Sequence, residues 1–338
     1  MASFRSRVAT AVKALLAVLV VGYLVLYVDP AAIWATARSA NSWLLALAVA
    51  MVLPNLWGNA RAWAALMHPL MPRMSTRVMW RAVMAGFAVG FFTPARVGEY
   101  AGRAFSVTYP NKWSVTATVL LQRLIDLVIG LWGGTLVLAY VWTSGSLPEN
   151  VGWGIGWEVV LGAGIGFAGG VTALLLAPRM VLGIVRWLPD RWVSWRAHLS
   201  FLERLSMRSV AASFAWSAFR YLVFIAQMAV LVQAFDPEVA FAGAFAGSVL
   251  AYYIRYLLPA VTLMDLGVRE GAAVFFLPLF GADPAAALNA ALAVFALNIA
   301  APSLVGVLFI RGLSFKHAAV PAAHAASSAP DDQPSSSA

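Results

Sequence analysis

The sequence has no cysteine and few charged residues. Of its 338 residues only 11% are Asp, Glu, Lys or Arg, whereas 62% are hydrophobic. A soluble domain carries about 25% charged residues, so this composition excludes an ordinary soluble fold and indicates a polytopic membrane protein. The absence of cysteine also excludes disulfides, thiolate metal sites and cysteine nucleophiles.

Motifs for metals and nucleotides are missing as well. The four histidines stand in loops and in the tail without HExxH spacing, and no Walker loop is present, so we expect no metal and no cofactor. One GxGxxG match at residues 164–169 has no strand before it. The spacing of Gly162, Gly166 and Gly170 favours a small-residue face for helix packing. The net charge of +9 is explained by membrane topology, so we expect no nucleic-acid partner.

Long apolar runs predict the membrane spans, because a spanning helix needs about 20 apolar residues. The first run follows three basic residues and precedes Ala35-x-Ala37, so a cleaved signal peptide is the alternative to a span there. We favour a retained span because the rest of the chain is polytopic. The predicted full spans are residues 8–28, 43–66, 114–142, 157–177, 210–234 and 285–310.

Two regions, 78–112 and 240–281, contain only short apolar halves separated by a proline-marked break that carries charges. Most basic residues lie in the loops 67–81, 94–113 and 178–209 or near the two termini. The positive-inside rule puts all of these segments in the cytoplasm. Each short region then starts and ends on one side of the membrane. Each is therefore predicted to be a broken or re-entrant hairpin, and the two hairpins enter from opposite faces.

The predicted fold class is an all-α polytopic membrane protein with about six full spans plus two broken or re-entrant hairpins in an inverted-repeat arrangement. Residues 1–317 are expected to form a single transmembrane domain, with halves at about 8–142 and 157–311. Segment 178–208 is predicted to be an amphipathic helix on the cytoplasmic surface. The small, polar residues of 318–338 predict a disordered tail.

Charged residues inside apolar segments are the candidate site. A charge at the bilayer centre costs at least about 2.5–3.5 kcal/mol, so such residues face the protein interior and pair with one another. Structural ion pairs that hold the hairpins shut are the alternative explanation for each of them. Arg123 and Asp126 are three residues apart on one helix, and their pairing leaves guanidinium donors suited to a phosphate. The predicted substrate-binding residues are Arg96, Glu99, Arg103, Arg123, Asp126, Arg269 and Glu270.

Prolines and glycines mark the breaks beside these charges. Pro94 and Gly98 lie in the first hairpin, and Pro259 and Gly267 lie in the second. We predict all four to be structural hinges, at points where a half-helix starts. The N-terminus of a helix exposes amide donors and favours an anionic group, so these breaks also suit an anion.

Three motifs follow one another along the chain: Pro94-x-x-x-Gly98-Glu99 with Arg103, Gln122-Arg123-x-x-Asp126, and Gly267-x-Arg269-Glu270. In this order they resemble the signatures of the lysylphosphatidylglycerol synthase transmembrane region, the flippase-like membrane domain of the bacterial multiple peptide resistance factor. The resemblance covers about residues 8–312. It implies a bacterial inner-membrane protein with inverted repeats that moves a charged lipid between leaflets.

The chain departs from that family in two respects. It ends soon after its last predicted span, so we expect a stand-alone member without the soluble synthase domain. Its second hairpin reads PAVTLMDLGVRE, where a proline and paired glycines are commoner in the family. Lysylphosphatidylglycerol is therefore one of several lipids that the resemblance implies.

These observations predict a flippase-like lipid translocator that moves a phospholipid, with a plain, aminoacylated or otherwise modified head group. The expected partners are a membrane phospholipid and a lipid-modifying enzyme. One alternative is a membrane-embedded transferase that uses Glu99 or Asp126 as a general base on a lipid-linked donor. Another is an accessory scaffold for a lipid-modifying enzyme. We expect a multi-pass inner-membrane protein with both termini in the cytoplasm. The head group, the direction of transport, the energy source and the oligomeric state stay open.

Overall fold

The computed structural model describes residues 18–19, 22–93, 96–145, 156–176, 205–257 and 267–310. Within these residues all regular secondary structure is helical. The predicted interfacial helix and the tail lie almost wholly outside the described residues, as do the predicted hinges Pro94 and Pro259. Residues 22–28, at the end of the first predicted span, are helical.

The remaining helices are named here in chain order. They are α1 (Pro30–Arg38), α2 (Ser42–Ala50), α3 (Val52–Met67), α4 (Thr76–Phe91), α5 (Gly98–Ser106), α6 (Lys112–Thr143), α7 (Trp157–Leu176), α8 (Met207–Phe235), α9 (Phe241–Leu257), α10 (Val268–Phe276), α11 (Pro284–Phe295) and α12 (Ala301–Ile310). A 3-10 helix, Leu277–Phe280, follows α10, and a π-helix, Ala296–Ala300, joins α11 to α12.

Five helical stretches in the described chain are long and apolar enough to cross a bilayer: Ser42–Met67, Lys112–Thr143, Trp157–Leu175, Met207–Phe235 and Pro284–Ile310. They confirm five of the six spans predicted from the sequence. The other predicted span, at the N-terminus, is described only near its end. The chain is therefore an all-α, multi-pass membrane protein.

Polar side chains start several of these spans, because the first N–H groups of a helix have no partner within it. The Asn111 side chain accepts from Ser114 N at 3.2 Å, before α6. Ser206 Oγ accepts from Ser209 N at 3.1 Å, at the start of α8. These caps fix where two long apolar helices begin.

The helix ends fall at two faces of the molecule. Asn41 N, just before α2, donates to Ala234 O near the end of α8 at 2.7 Å, and Asp283 N, just before α11, donates to Asp236 Oδ2 at 2.9 Å. We call this the α8–α9 face. The end of α3 and the start of α8 meet at the opposite face, which we call the α3–α4 face after its loop.

The first hairpin consists of α4 and α5 and enters from the α3–α4 face. With 16 and nine residues, the two helices are about 24 Å and 14 Å long, so neither crosses the ~30 Å hydrocarbon core. They pack closely and antiparallel. A Cβ at Gly86 would lie 2.8 Å from Arg103 Cγ, and one at Gly102 would lie 2.7 Å from Ala85 O. Only glycine leaves room for this approach.

The second hairpin consists of α9 and α10 and enters from the α8–α9 face. Helix α10 has nine residues and continues into the 3-10 helix, where Leu277 and Phe280 lie against Gly243 and Gly247 near the start of α9. The chain thus returns to the face from which it entered. Both hairpins predicted from the sequence are present, and they enter from opposite faces.

The two halves repeat one order of elements in opposite directions. The first half has a span (α2 and α3), a hairpin (α4 and α5) and a span (α6), and the second has a span (α8), a hairpin (α9 and α10) and a span (α11 and α12). The halves interlock, because α3 packs on α8 and α12 packs on α4. Ser303 Oγ of α12, for example, donates to Phe87 O of α4 at 3.2 Å. The sequence prediction of an inverted repeat agrees with this order.

Helix α7 packs through a different face from the one that glycine spacing predicts. A Cβ at Gly162, Gly166 or Gly170 would have no atom of the described residues within 4 Å. The contact face instead contains Gly164, which meets the Tyr253 ring, and Thr172, whose Oγ1 accepts from Trp132 Nε1 at 3.0 Å. The helices that pack on α7 therefore contact a row of residues displaced by two positions from Gly162, Gly166 and Gly170.

Candidate functional site

Glu99 is the centre of an ion-pair network in the protein interior. Its side chain is only 1% exposed and stands in the first turn of α5. Oε1 accepts from Arg103 Nη2 of the same helix at 2.5 Å, and Oε2 accepts from Arg123 Nη2 of α6. Arg96 Nη2 lies 3.4 Å from Oε2 as well. The Glu99 carboxylate therefore contacts three arginines, two from the first hairpin and one from the span that follows it.

Arg103, which forms an ion pair with Glu99, is fully buried. Its Nη1 donates to Gln122 Oε1 at 2.8 Å, and its guanidinium stacks over the Trp63 ring with 5.4 Å to the centroid. Gln122 Nε2 donates in turn to Asn59 Oδ1 at 2.8 Å. A buried charge needs several such partners, because an unpaired one is costly in an apolar interior. These contacts fix the position of Arg103 on α5.

Asp126 continues the network into the second half of the protein. Its Oδ2 accepts from Arg123 Nη1 at 3.4 Å and forms an ion pair with Arg220 Nη2 of α8 at 2.9 Å. The pair of Arg123 with Asp126 that helical spacing predicts is thus present. Each residue also has a closer partner on another helix, Glu99 for Arg123 and Arg220 for Asp126.

The second hairpin carries a related arrangement. Glu270 is buried, accepts from Gly267 N with Oε2 at 2.7 Å, and pairs with Arg269 through Oε1. Gly267 has φ 91°, a conformation that glycine adopts without strain. In the first hairpin the residue three before the glutamate is Arg96, which has φ 56°. In each hairpin a residue with positive φ therefore stands three positions before the glutamate.

The predicted hinges do not act in the same way. Gly267 supplies the left-handed turn before α10, as its φ shows. Gly98 has no positive φ. Its N–H donates to Thr93 Oγ1 at 2.7 Å, and a Cβ there would lie 2.7 Å from the same oxygen. Gly98 is therefore needed for close approach rather than for rotation.

A central cavity of about 340 Å³ lies between the two hairpins and the spans. Four predicted site residues line it, whereas Glu99, Arg103 and Glu270 do not and lie behind the lining. Because α4, α9 and α10 all contribute to it, the two hairpins meet at one site. The four lining residues are Arg96, Arg123, Asp126 and Arg269.

The described lining of the central cavity is strongly positive. It contains five arginines and a single acidic residue, Asp126. When the buried charges directly behind it are included, six arginines face three carboxylates, which leaves three positive charges in excess among the described residues. Such an excess in an apolar layer favours an anionic ligand. The six arginines are Arg96, Arg103, Arg123, Arg220, Arg255 and Arg269.

Several lining residues were outside the predicted site. Arg220 and Arg255 gave the same signal as the predicted residues, an arginine inside an apolar segment, but no spacing linked them to a carboxylate. Tyr221 and Tyr252 gave no such signal, because a tyrosine within a membrane span is not unusual. Both are buried, and neither hydroxyl has a hydrogen-bond partner within the described residues. With Oδ1 of Asp126, which also has none, they leave polar groups available to a ligand.

The family comparison agrees with this architecture. A family model described as the lysylphosphatidylglycerol synthase TM region matches residues 11–306. No curated protein matches the chain. The match covers most of the sequence and contains both hairpins and the whole central cavity. The family's name links it to a membrane lipid, and the chain belongs to the lysylphosphatidylglycerol synthase TM region family.

Proposed function

We propose that the protein is a lipid translocator, which moves a phospholipid between the leaflets of the bacterial inner membrane. One observation carries this proposal: arginines of both hairpins and of two spans line one cavity between membrane-spanning helices. In an inverted-repeat transporter the substrate site lies near the middle of the membrane, where the broken helices of the two halves meet. The phosphate of a lipid is the anion that the surrounding membrane offers to such a site.

Arginine suits this ligand, because its planar guanidinium forms two parallel hydrogen bonds to a phosphate. Arg123 of α6, Arg96 of the first hairpin and Arg269 of the second all line the central cavity. Nε of Arg96 and Nε of Arg269 have no hydrogen-bond partner in the described part of the chain. The phosphate would bind to Arg123 together with Arg96 or Arg269.

The size of the central cavity also supports a head-group site. At about 340 Å³ it lies at the small end of the roughly 300–1,000 Å³ typical of ligand pockets. It has room for a phosphate and a small head group, whereas two acyl chains would have to stay in the surrounding lipid. A modified head group could place its additional donor against Oδ1 of Asp126.

The surroundings of Glu99 make it unsuited to act as the general base of a transferase. A general base needs an oxygen within hydrogen-bond reach of the proton that it removes. Both oxygens of Glu99 already accept hydrogen bonds from arginines, and Glu99 does not line the cavity. We assign Glu99, Asp126 and Glu270 the role of holding the arginines in place.

The proposed orientation follows from the basic loops. The α3–α4 loop contains Arg73, and Arg77 and Arg81 follow it in α4. By the positive-inside rule this face is cytoplasmic. The first hairpin then enters from the cytoplasm and the second from the opposite side.

The proposal is tested by leaflet-resolved scrambling of labelled lipids in proteoliposomes. The test variant is Arg123→Gln/Asp126→Asn, which removes one positive and one negative charge and leaves Glu99 paired with Arg103. We expect folded protein and a loss of transport. A series of head groups then identifies the cargo, with phosphatidylglycerol, phosphatidylethanolamine and an aminoacylated lipid as the first three.

A matched control has the same charge change away from the cavity. Arg38→Gln/Glu238→Gln replaces one exposed residue of each sign, and neither lines the cavity. This variant should transport at the wild-type rate. Normal transport by a folded Arg123→Gln/Asp126→Asn protein would show that the cavity is not the lipid path.

A further inference from the structure

A second cavity of about 580 Å³ opens at the α3–α4 face. It lies between the end of α3, the α3–α4 loop and the start of α8, and we call it the outer chamber. Arg61 and His68 of α3, Met71 of the loop, and Arg208 and Trp216 of α8 contribute to its wall. Among the described residues, none lines both the outer chamber and the central cavity.

The outer chamber has two cationic side chains, and none of its described lining residues is acidic. Arg61 has no carboxylate of a described residue within 4.0 Å. Its guanidinium stands 5.8 Å from the Trp57 ring centroid and 5.5 Å from that of Trp216. Aromatic faces hold a cation by its charge and leave the N–H donors at the guanidinium edge open. Arg61 is thus positioned to bind an anion.

The outer chamber is next to the central cavity along the same pair of helices. On α8, Trp216 lines the outer chamber and Arg220, one turn further, lines the central cavity. On α3, Arg61 lines the outer chamber and Asn59 lines the central cavity. One turn of an α-helix rises about 5.4 Å. The end of the outer chamber at Trp216 is therefore about one helical turn from the next arginine, Arg220.

The position of the outer chamber indicates the source of its ligand. The spans that border it begin at Met207 and end at Met67, so it lies where apolar helices leave the bilayer. Lipid phosphates concentrate at this depth. Arg208 stands in the first turn of α8, whose exposed N–H groups add to the positive potential.

We propose that the outer chamber is a phosphate-binding site, separate from the central cavity, which Arg61 and Arg208 form to hold a lipid phosphate of the adjoining leaflet. Binding there does not require transport. The further role of the outer chamber, as the place from which a head group moves on to Arg220, rests on the proposed function.

The test uses the full-length protein in detergent and a short-chain phosphatidylglycerol that carries a photoreactive diazirine. Mass spectrometry locates the cross-links, in residues 61–74 and 205–216 for the outer chamber. In Arg61→Gln/Arg208→Gln we expect these cross-links to fall by about tenfold, because charge-assisted hydrogen bonds to the phosphate are lost. Arg61→Lys/Arg208→Lys keeps the charge and should restore most of them.

Four comparisons decide the outcome. Equal cross-linking by a diacylglycerol probe, which has no phosphate, would overturn the proposal, as would wild-type cross-linking in Arg61→Gln/Arg208→Gln. Inorganic phosphate that competes with the probe at equal concentration would show a soluble phosphate to be the ligand of the same residues. Arg123→Gln/Asp126→Asn should retain these cross-links, so a failure of the transport proposal leaves this one standing.

Discussion

Glu99 and Arg123 join the first hairpin to the span that follows it, because Oε2 of the Glu99 carboxylate accepts from Arg123 Nη2 while Oε1 accepts from Arg103. The contact connects residues 24 positions apart in the sequence. It holds the Arg123 side chain at the lining of the central cavity. We therefore expect replacement of either partner to lower stability as well as the proposed transport.

Glu99→Gln should destabilise the protein strongly. The amide is neutral and leaves the buried guanidinium of Arg103 without a counter-charge, and a broken buried ion pair costs about 3–5 kcal/mol. We expect a clear fall in the melting temperature of the purified protein in detergent. Glu238→Gln, at an exposed glutamate, is the control and should melt with the wild type. A Glu99→Gln protein that melts at the wild-type temperature would show that the network contributes little.

Arg96 allows its backbone and its charge to be tested separately. Its φ of 56° favours glycine, and an alanine there is strained by about 1–2 kcal/mol. We therefore expect Arg96→Gly to be more stable than Arg96→Ala by about 1 kcal/mol. Both variants should lose transport to the same degree, since both remove the guanidinium. Equal melting temperatures would argue against strain at Arg96.

The close contact within the first hairpin should not tolerate a methyl group. Gly102→Ala would place Cβ 2.7 Å from Ala85 O, and overpacking of this kind costs about 1–3 kcal/mol. Gly166→Ala is the matched control on α7, where a Cβ meets no atom within 4 Å in the part of the chain that the structure describes. It should be neutral or gain up to about 1 kcal/mol from helix propensity. Thermal melts that rank the two variants in the opposite order would contradict the hairpin packing.

Asn298 should be more important to stability than an ordinary buried asparagine. In the π-helix it accepts from Asn55 Nδ2 at 2.6 Å and donates to Gln227 Oε1 at 2.8 Å. Asn298→Ala leaves two buried groups unpaired, at about 1–3 kcal/mol each. Asn289→Ala breaks one hydrogen bond within the described residues, from Nδ2 to Ile33 O at 2.9 Å, and should cost less. An equal or larger effect of Asn289→Ala on the melting temperature would contradict this ranking.

The membrane architecture could be predicted from the sequence because hydropathy and length determine it. Apolar runs of about 20 residues gave the spans, and the two regions that were too short gave the hairpins. The positive charge of the loops on one side then predicted that the two hairpins enter from opposite faces of the membrane. These signals are local and need no knowledge of packing.

The partners of the charged residues could not be predicted in the same way. Spacing alone linked Arg123 to Asp126, because three residues on a helix bring two side chains together. The closer partners, Glu99 and Arg220, are on other helices, and their proximity depends on how the helices pack. The packing face of α7 was missed for the same reason, since glycine spacing does not tell which neighbour a helix meets.

The ion pair between Asp126 and Arg220 connects helices of the two halves, at 2.9 Å. In alternating access one half rocks against the other, so α6 and α8 would have to separate and this bond would have to open. In the proposed translocator this bond would be an ionic latch between the halves. A phosphate that binds Arg220 competes with Asp126 for the same guanidinium, so arrival of the cargo would itself weaken the latch.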